Sequence, residues 1–417
     1  MLLLKLPFFT AAPMTWLEAL FTAASAVTVT GLSVINIDHG LTFYGQVLIL
    51  VLIQIGGLGL MTFASLTLVL LGGRLPLQEQ NLVRESLNRT SLGNLMGLVR
   101  TLVIFTLIME LSGTLLLACT WVPQFGLWHG LWVSVFHAVS AFNNAGFSTW
   151  ADSLRGEVAN PLINIVMPAL FITGGLGFAV IGELYEKRSL SGLSMQAKLI
   201  IYTTVLLNLG AMIMLLVLEW RNPATLAGLD SFGAKLQAAW FQAVTPRTAG
   251  FNTLDTSALT MPSTLLTMLL MFIGGGPGST SSGIKVTTFI VLFLTARAFL
   301  RGSKEPNIFG RSLSQETVMK AISVALAAGS LIFVALFLLT ITEPHLSLVD
   351  LAFETVSAFG TVGLTRGITG ELSGWGQIIL IITMLLGRVG PLALGYFLAT
   401  SNTGTSMRYA EGRIQIG

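Results

Sequence analysis

The sequence has 417 residues, of which 53% are hydrophobic and 10% charged, with a mean hydropathy of +0.80 and a formal net charge of +3. Soluble globular proteins carry about 25% charged residues, so this chain has too little polar surface to coat a water-soluble body and reads as an integral membrane protein. Its basic residues are dispersed rather than striped, which excludes a nucleic-acid footprint, and a single cysteine, Cys119, excludes a disulfide framework or a cysteine metal site.

The chain opens on MLLLKLPFFTAAP, whose apolar stretch is far short of the ~20 residues that span a bilayer. It lacks the basic region and cleavage site of a signal peptide. Long apolar segments follow near 43–71, 96–120, 159–182, 197–220, 262–300, 317–341 and 375–399. Between them lie four amphipathic pieces of one design: LFTAASAVTVTGLSV (20–34), VFHAVSAFNNAGFST (135–149), WFQAVTPRTAGFNT (240–253) and AFETVSAFGTVGLTR (352–366). Phe21, Phe136 and Phe353 stand ten residues before Gly31, Gly146 and Gly363, and Ser25, Ser140 and Ser357 stand six before. The third copy is one residue shorter, so that Phe241 and Thr245 are shifted by one relative to Gly250. The glycines are 115, 104 and 113 residues apart (146−31, 250−146, 363−250), a period too long for a solenoid and suited to a duplicated membrane module.

A second motif follows, its first glycine 24 to 28 residues after each of these glycines: QIGGLGL (54–60), ITGGLGF (172–178), FIGGGPG (272–278) and LLGRVGP (385–391). One such motif alone suggests small-residue helix packing. The ordered set of four indicates four modules, each made of a span, a re-entrant helix of about 12–14 residues, a polar turn and a second span. The expected boundaries are 1–71, 72–184, 185–300 and 301–400, with a tail over 401–417. Irregular backbone at membrane depth survives only where protein buries it or water reaches it. Four such turns can therefore meet on one axis and line a water-filled path. The fold class expected is an all-α membrane protein with pseudo-fourfold modules around a central pore. Fourteen basic residues fall in the linkers between modules and in the tail, against five on the other side, which puts the linkers and C-terminus in the cytoplasm.

The turns themselves suggest the chemistry. Backbone carbonyls replace the hydration shell of a monovalent cation without the deep trap of a carboxylate, and glycine tolerates the backbone angles that aiming them requires. The candidate ion-binding residues are Thr28, Val29, Thr30 and Gly31 in the first turn and Asn143, Asn144, Ala145 and Gly146 in the second. Arg247, Thr248, Ala249 and Gly250 form the third turn, and Gly360, Thr361, Val362 and Gly363 the fourth. The C-terminal dipole ends of the short helices favour a cation there. Asn143 and Asn144 are expected to brace their turn. Arg247 is expected to point away from the ion, toward Glu354 or another carboxylate. Glu110 is expected to serve the scaffold. Asp38, Asp152, Asp255 and Glu371 lie in outer loops as solvated charges, or as attractors of cations to the mouth.

The stretch GGGPGSTSSGIK interrupts the third second-span. Its glycine and proline content disfavours helix through 274–283, so a loop inside the membrane is expected there. Its candidate gating residues are Gly274, Gly275, Gly276, Gly278, Ser279, Thr280, Ser281, Ser282, Gly283 and Lys285. Lys285 is expected to reach the cytoplasmic interface or a carboxylate. Arg388, in the last span, is an intramembrane charge and hence a functional candidate. It is read either as a partner for backbone carbonyls or as a positive barrier in the pore.

Four modules, a glycine closing each turn, GGGPGSTSSGIK in the third and GRVGP in the fourth closely resemble the Trk/Ktr/HKT superfamily of cation transporters, over nearly the whole chain. The tail RYAEGRIQIG resembles that of Ktr-type membrane subunits. The resemblance implies potassium uptake, with sodium as a candidate coupling ion, through four filter turns whose glycines favour potassium. It also implies that the 274–283 loop is the gate, that the membrane subunit is a homodimer, and that a separate cytoplasmic nucleotide-binding ring regulates it. Against that family the first module lacks most of its first span, so an upstream extension of about 20–30 mostly apolar residues is expected in the native reading frame; a stop codon just before Met1 in the complete gene contradicts it. The rival classes are a membrane enzyme and an inverted-repeat carrier for another cation or small solute. An enzyme is disfavoured because no HExxH, nucleophile elbow or carboxylate cluster occurs and GGGPGST lacks the GK[ST] ending of a phosphate loop.

Overall fold

The computed structural model describes residues 1–59, 95–303 and 305–390. The basic linker 72–93, the far ends of the apolar segments 43–71 and 375–399, and the tail 401–417 lie outside the described residues. Helices start where the sequence offers a side-chain oxygen to the first free N–H groups. The Thr15 hydroxyl accepts from the Glu18 N–H at 3.2 Å while the Glu18 carboxylate accepts from the Thr15 N–H at 2.7 Å, opening the helix Trp16–Thr28 with a capping box. Thr42, Asn160, Ser194, Ser231, Ser314, Ser347 and Ser373 cap later helices through one side-chain oxygen.

Among the described residues three helices are long and apolar enough to cross a membrane: Arg100–Phe125, Met195–Glu219 and Gln315–Thr342. At 1.5 Å per residue the shortest, 25 residues, is about 38 Å long against a hydrocarbon core of about 30 Å. Their outer faces carry exposed Leu107, Leu111, Leu206, Val217, Leu326 and Phe333, an apolar surface suited to lipid.

Each of these helices is followed by a short one that dead-ends in the interior: Leu127–Phe142, Phe232–Val244 and Leu348–Gly360. Trp16–Thr28 is the first of this kind. Three of the four have 13 residues, within the expected 12–14, but Leu127–Phe142 has 16. The reason is the turn before it. Gly126, at φ +82°, reverses the chain in a single residue after Phe125, so the short helix begins without an intervening loop. Gly130 then packs so closely that a Cβ there would sit 2.4 Å from the Trp121 carbonyl oxygen.

The returning helices are Phe43–Leu58, Pro161–Leu176, Met261–Phe272 and Gly374–Val389. The first, second and fourth stop at Gly59, Gly177 and Gly390, all at positive φ. After Gly177 the chain resumes as Phe178–Lys187, bent by 99°. The third gives way to irregular backbone before Val286–Leu300. Residues 301–314 contain a two-residue hairpin, Asn307–Ile308 against Arg311–Ser312.

The core is built from seams between successive units. Ala26, Ile49 and Ile53 meet Phe136 and Phe147; Trp121, Phe142 and Phe171 meet Phe241 and Phe251; Met271 meets Phe353 and Val362; and Leu339, Leu380 and Met384 meet Phe21 and Leu32. The repeated phenylalanines Phe21, Phe136, Phe241 and Phe353 are all fully buried. The first glycine of the second motif has a specific role in three of the four copies. A Cβ at Gly56, Gly174 or Gly387 would lie 2.0, 2.0 and 1.9 Å from the carbonyl oxygens of Val27, Phe142 and Phe359, the last residues of the short helices or their neighbours. Only a residue without a Cβ lets the returning helix touch those helix ends.

Gly387→Ala is therefore expected to cost about 1–3 kcal/mol through overpacking. Gly329→Ala, in the open helix Gln315–Thr342 with nothing within 4 Å, is expected to be neutral or stabilising by up to about 1 kcal/mol. Thermal unfolding in detergent, followed by loss of the monodisperse chromatographic peak, separates the two.

Candidate functional site

Each short helix ends in the same backbone figure. Val29, Asn144, Thr248 and Thr361 adopt left-handed conformations at φ 57°, 58°, 74° and 47°, and two residues later Gly31, Gly146, Gly250 and Gly363 have φ of 93°, 67°, 80° and 91°. In the first, second and fourth copies a Schellman motif closes the helix. The N–H of Thr30, Ala145 and Val362 donates to the carbonyl of Ser25, Ser140 and Ser357, each at 2.8 Å. The N–H of Val29, Asn144 and Thr361 donates to Ala26, Ala141 and Ala358. The third copy, shorter by one residue in sequence, closes instead through Ala249 N–H to the Thr245 carbonyl at 2.9 Å. Left-handed conformations are strained for β-branched Val29, Thr248 and Thr361, and such strain collects at functional sites.

The repeated hydroxyls, whose spacing was visible in the sequence but whose role was not, brace these turns. Ser25 and Ser357 accept from the N–H of Gly31 and Gly363, both at 3.1 Å. Ser140 donates to the Phe147 carbonyl at 2.8 Å, and Thr245 donates to the Phe251 carbonyl. Either way the hydroxyl fixes the residue at or just after the turn's glycine. His137 is a brace that sequence reasoning missed. It is fully buried, with Nδ1 2.9 Å from the Val133 carbonyl and Nε2 3.0 Å from the Ser148 hydroxyl. A lone histidine on an apolar helix carries no signal that would have found it.

The four turns touch in a closed cycle. A Cβ at Gly31 would lie 2.5 Å from the Ala145 carbonyl oxygen, at Gly146 3.1 Å from that of Ala249, at Gly250 2.1 Å from that of Val362, and at Gly363 2.2 Å from that of Thr30. Each turn thus places the carbonyl of its third residue against the glycine of a neighbour, first to second to third to fourth and back to the first. Of the sixteen residues expected in the turns, Thr30, Gly31, Ala145, Gly146, Ala249, Gly250, Val362 and Gly363 make these ring contacts.

Behind it the first residue of each turn differs. Thr28 donates to the Ala24 carbonyl at 2.8 Å. Asn143 donates to Glu110 and to Gln54, both at 2.9 Å, and Gln54 also donates to Glu110 at 3.2 Å, so Glu110 is a scaffold acceptor as expected. Gly360 lies against Met271, where a Cβ would be 2.5 Å from the carbonyl oxygen. Arg247 points away from the ring, but the expected carboxylate partner is wrong. Its guanidinium donates to Asn208 Oδ1 at 3.2 Å, Thr204 Oγ1 at 3.4 Å and the Gly274 carbonyl at 3.1 Å. The third turn packs on the span of its own unit, whose facing side chains are neutral, while Glu354 is held by the Thr369 hydroxyl.

Residues 274–283 form the irregular loop expected. Its neck is closed by a parallel bridge between Ile273 and Ile284, with Gly274 N–H donating to the Ile284 carbonyl at 2.9 Å and Val286 N–H to Gly275 at 3.0 Å. The loop is stitched to the second unit: Gly276 N–H donates to Gly175 at 2.8 Å, Thr280 N–H to Gly174 at 3.2 Å, and Phe178 N–H to Gly278 at 3.0 Å. Asn144, whose amide oxygen accepts from Ser281 Oγ at 3.0 Å and Thr248 Oγ1 at 2.9 Å, connects two turns and the loop. Ser279 donates to the Gly276 carbonyl at 2.6 Å, holding the loop's own tight turn.

Two cations hold the loop from other sides. Arg388 donates to the Thr280 and Gly56 carbonyls and, at 3.2 Å, to Ser282 Oγ, so it fills the carbonyl-partner reading. Lys285 corrects the expectation of a carboxylate or an interfacial contact. Its ammonium turns back into the loop and donates to the Ser281 carbonyl at 2.6 Å, because the loop leaves carbonyls without helical partners. Of the outer carboxylates, Asp255 is paired with Arg155 at 3.0 Å. Burial works against its charged form, yet the Ser257 hydroxyl and N–H together with Arg155 hold it below the usual aspartate range.

Helix-terminating turns closed into a ring, with an irregular loop packed against them inside an apolar helical shell, define a multi-pass, all-α membrane protein built for transport. The chain belongs to the TrkH family, described as cation transport protein, whose model matches residues 3–401. It is 47% identical over all its residues to the "Ktr system potassium uptake protein B" of Bacillus subtilis, covering 93% of that protein. It is 41% identical to the protein of the same name from Vibrio alginolyticus, again over the whole chain and 91% of the relative. It is 36% identical, also over the whole chain, to the "Potassium/sodium uptake protein NtpJ" of Enterococcus hirae, covering 93% of it. The crystal structure of the potassium transporter TrkH from Vibrio parahaemolyticus superposes with a TM-score of 0.72 over 93% of this chain and 79% of that one, at 21% identity, a likeness of fold.

The Glu110–Asn143 contact yields a prediction. Asn143→Ala and Glu110→Ala are each expected to cost about 1–3 kcal/mol by leaving buried polar groups unpaired. The double variant should cost less than the sum by about 0.5–3 kcal/mol, measured as denaturation midpoints in one detergent.

Proposed function

We propose that the protein takes up potassium through the ring of four turns, acting as a filter, and that the 274–283 loop gates it. The closed cycle of Gly31, Gly146, Gly250 and Gly363 carries this reading. Each turn contributes backbone rather than side chain to the contact, as a dehydrated monovalent cation requires. The ion ligands would be carbonyls of Thr28, Val29, Thr30 and Gly31 and their counterparts in the other turns. The modules 1–71, 72–184, 185–300 and 301–400 would then surround one pseudo-fourfold axis. The relatives named as potassium uptake proteins support the choice of ion. The relative named for potassium and sodium supports sodium as a candidate for coupling.

Gating rests on how the loop is held. Loop backbone rich in glycine moves at little conformational cost, and it is held by separate local contacts: Arg388 on one side, the Gly174 and Gly175 carbonyls and the Phe178 N–H on another, and the Asn144 and Arg247 side chains from the turns. Arg388 would both pin the loop and set a positive barrier that slows the ion. The membrane orientation, with linkers and C-terminus cytoplasmic, follows the basic-residue asymmetry. The relatives' place in Ktr systems and the resemblance of the tail support a homodimer working with a cytoplasmic nucleotide-binding ring that moves the loop.

The test is flux into liposomes holding the complete protein, with potassium, sodium and an organic solute in competition. Potassium uptake that outcompetes both is expected; preferential organic-solute uptake supports the carrier reading instead. Gly363→Ala, which drives a Cβ into the Thr30 carbonyl, is expected to lower potassium preference about 10-fold or more, as 1–3 kcal/mol of misfit implies. Arg388→Ala, or deletion within 275–282, is expected to raise potassium flux; unchanged flux in a folded variant counts against the gate.

A further inference from the structure

In three units the returning helix contacts the end of the short helix directly, through Gly56, Gly174 and Gly387. The third unit breaks this pattern. Gly274, which stands where those glycines stand, instead faces the loop's own Ser282 carbonyl, where a Cβ would be 1.7 Å away. The turn-to-span contact that the other units make with backbone is made here by a side chain, Arg247, reaching from the third turn to the Gly274 carbonyl at 3.1 Å.

We infer that Arg247 is the mechanical link between the third turn and the loop, so that displacement of the loop changes which ion the ring prefers. Three features set this residue apart. It is 7% exposed, and among the described residues no carboxylate pairs with it. Its guanidinium is divided between a fixed side, Thr204 and Asn208 on the span Met195–Glu219, and a movable side, the first carbonyl of the loop. The residue after it is Thr248, the left-handed residue of the turn. A charged donor holds its acceptors about twice as strongly as a neutral one, so loss of Gly274 is felt at the turn's backbone.

There is also room for the link to move. Arg247 Nε lacks a hydrogen-bond partner, and a cavity of about 20 Å³ lies against Arg247, Gly275 and Ser281, close to the size that holds one water. The guanidinium can re-aim by bonding water there when the loop withdraws. No other turn sends a charged side chain to the loop; in the second turn the neutral amide of Asn144 meets Ser281. Thr28 bonds its own helix and Thr30 of its own turn, and Gly360 has no side chain. Asn143 bonds Glu110 and Gln54, on helices that hold no part of the loop.

This inference rests on the filter-and-gate reading and is tested so that the two can fail separately. The complete protein is reconstituted as wild type, Arg388→Ala, Arg247→Gln and the double variant, and potassium-over-sodium preference is measured from competing fluxes. Arg388→Ala, which frees the loop from the opposite side, is expected to shift that preference about 5-fold or more when Arg247 is present, the lower end of ordinary coupling between sites. The shift is expected to vanish in the Arg247→Gln background. Arg247→Lys, which keeps the charge but cannot span both sides, is expected to uncouple in the same way and serves if Arg247→Gln does not fold. Equal shifts with and without Arg247, or no shift in either, overturn the link. A wild type without potassium preference overturns the filter reading instead.

Discussion

The structure depends on close approach between backbone and backbone. Four turns close their ring through main chain because each glycine α-carbon faces a neighbour's carbonyl oxygen, at Gly31, Gly250 and Gly363 too closely for a Cβ and at Gly146 with little room for one. The same constraint acts one layer out, where Gly56, Gly174 and Gly387 let the returning helices rest on the ends of the short ones. Two shells of glycine–carbonyl contact thus fix the interior, while the bulky side chains stand outside it. The buried phenylalanines fill the seams between units, and the leucines of the long helices face outward.

This order suits a membrane. Packing rather than the hydrophobic effect joins helices in lipid, so small residues at contacts contribute most. Backbone polar groups that leave a helix must find partners in the protein or in water. Schellman closures and the Ser25, Ser140, Thr245 and Ser357 hydroxyls do this at the turns. Arg388, Lys285 and Arg247 do it for the loop, each donating to main-chain carbonyls. The intramembrane cations are therefore held chiefly by carbonyl dipoles, and a loop so held can change position without stranding a carboxylate.

Much of this was legible in the sequence because repetition carries information that single motifs lack. The spacing of Phe21, Ser25 and Gly31 recurs closely enough to place all four turns, and the missing residue before Gly250 correctly marks the turn that closes differently. GGGPGSTSSGIK could be read as loop from helix propensity alone. Partner choice was not legible. Glu354 looked like a partner for Arg247 because opposite charges attract, yet the fold sets Arg247 against Thr204 and Asn208, which sequence distance hides. Lys285 was expected at an interface because lysines snorkel, but loop carbonyls nearer by supplied its partner. The length of Leu127–Phe142 was missed because nothing in the sequence marks Gly126 as a one-residue reversal.

The central claim is that the ring of turns binds a dehydrated monovalent cation through main-chain oxygens. Crystals of the complete protein grown with rubidium or thallium in place of potassium test it directly through anomalous diffraction. The account predicts anomalous density on the axis enclosed by the turns 28–31, 143–146, 247–250 and 360–363, within coordination distance of their carbonyl oxygens. Density confined to the outer carboxylates, with none within the ring, would contradict it.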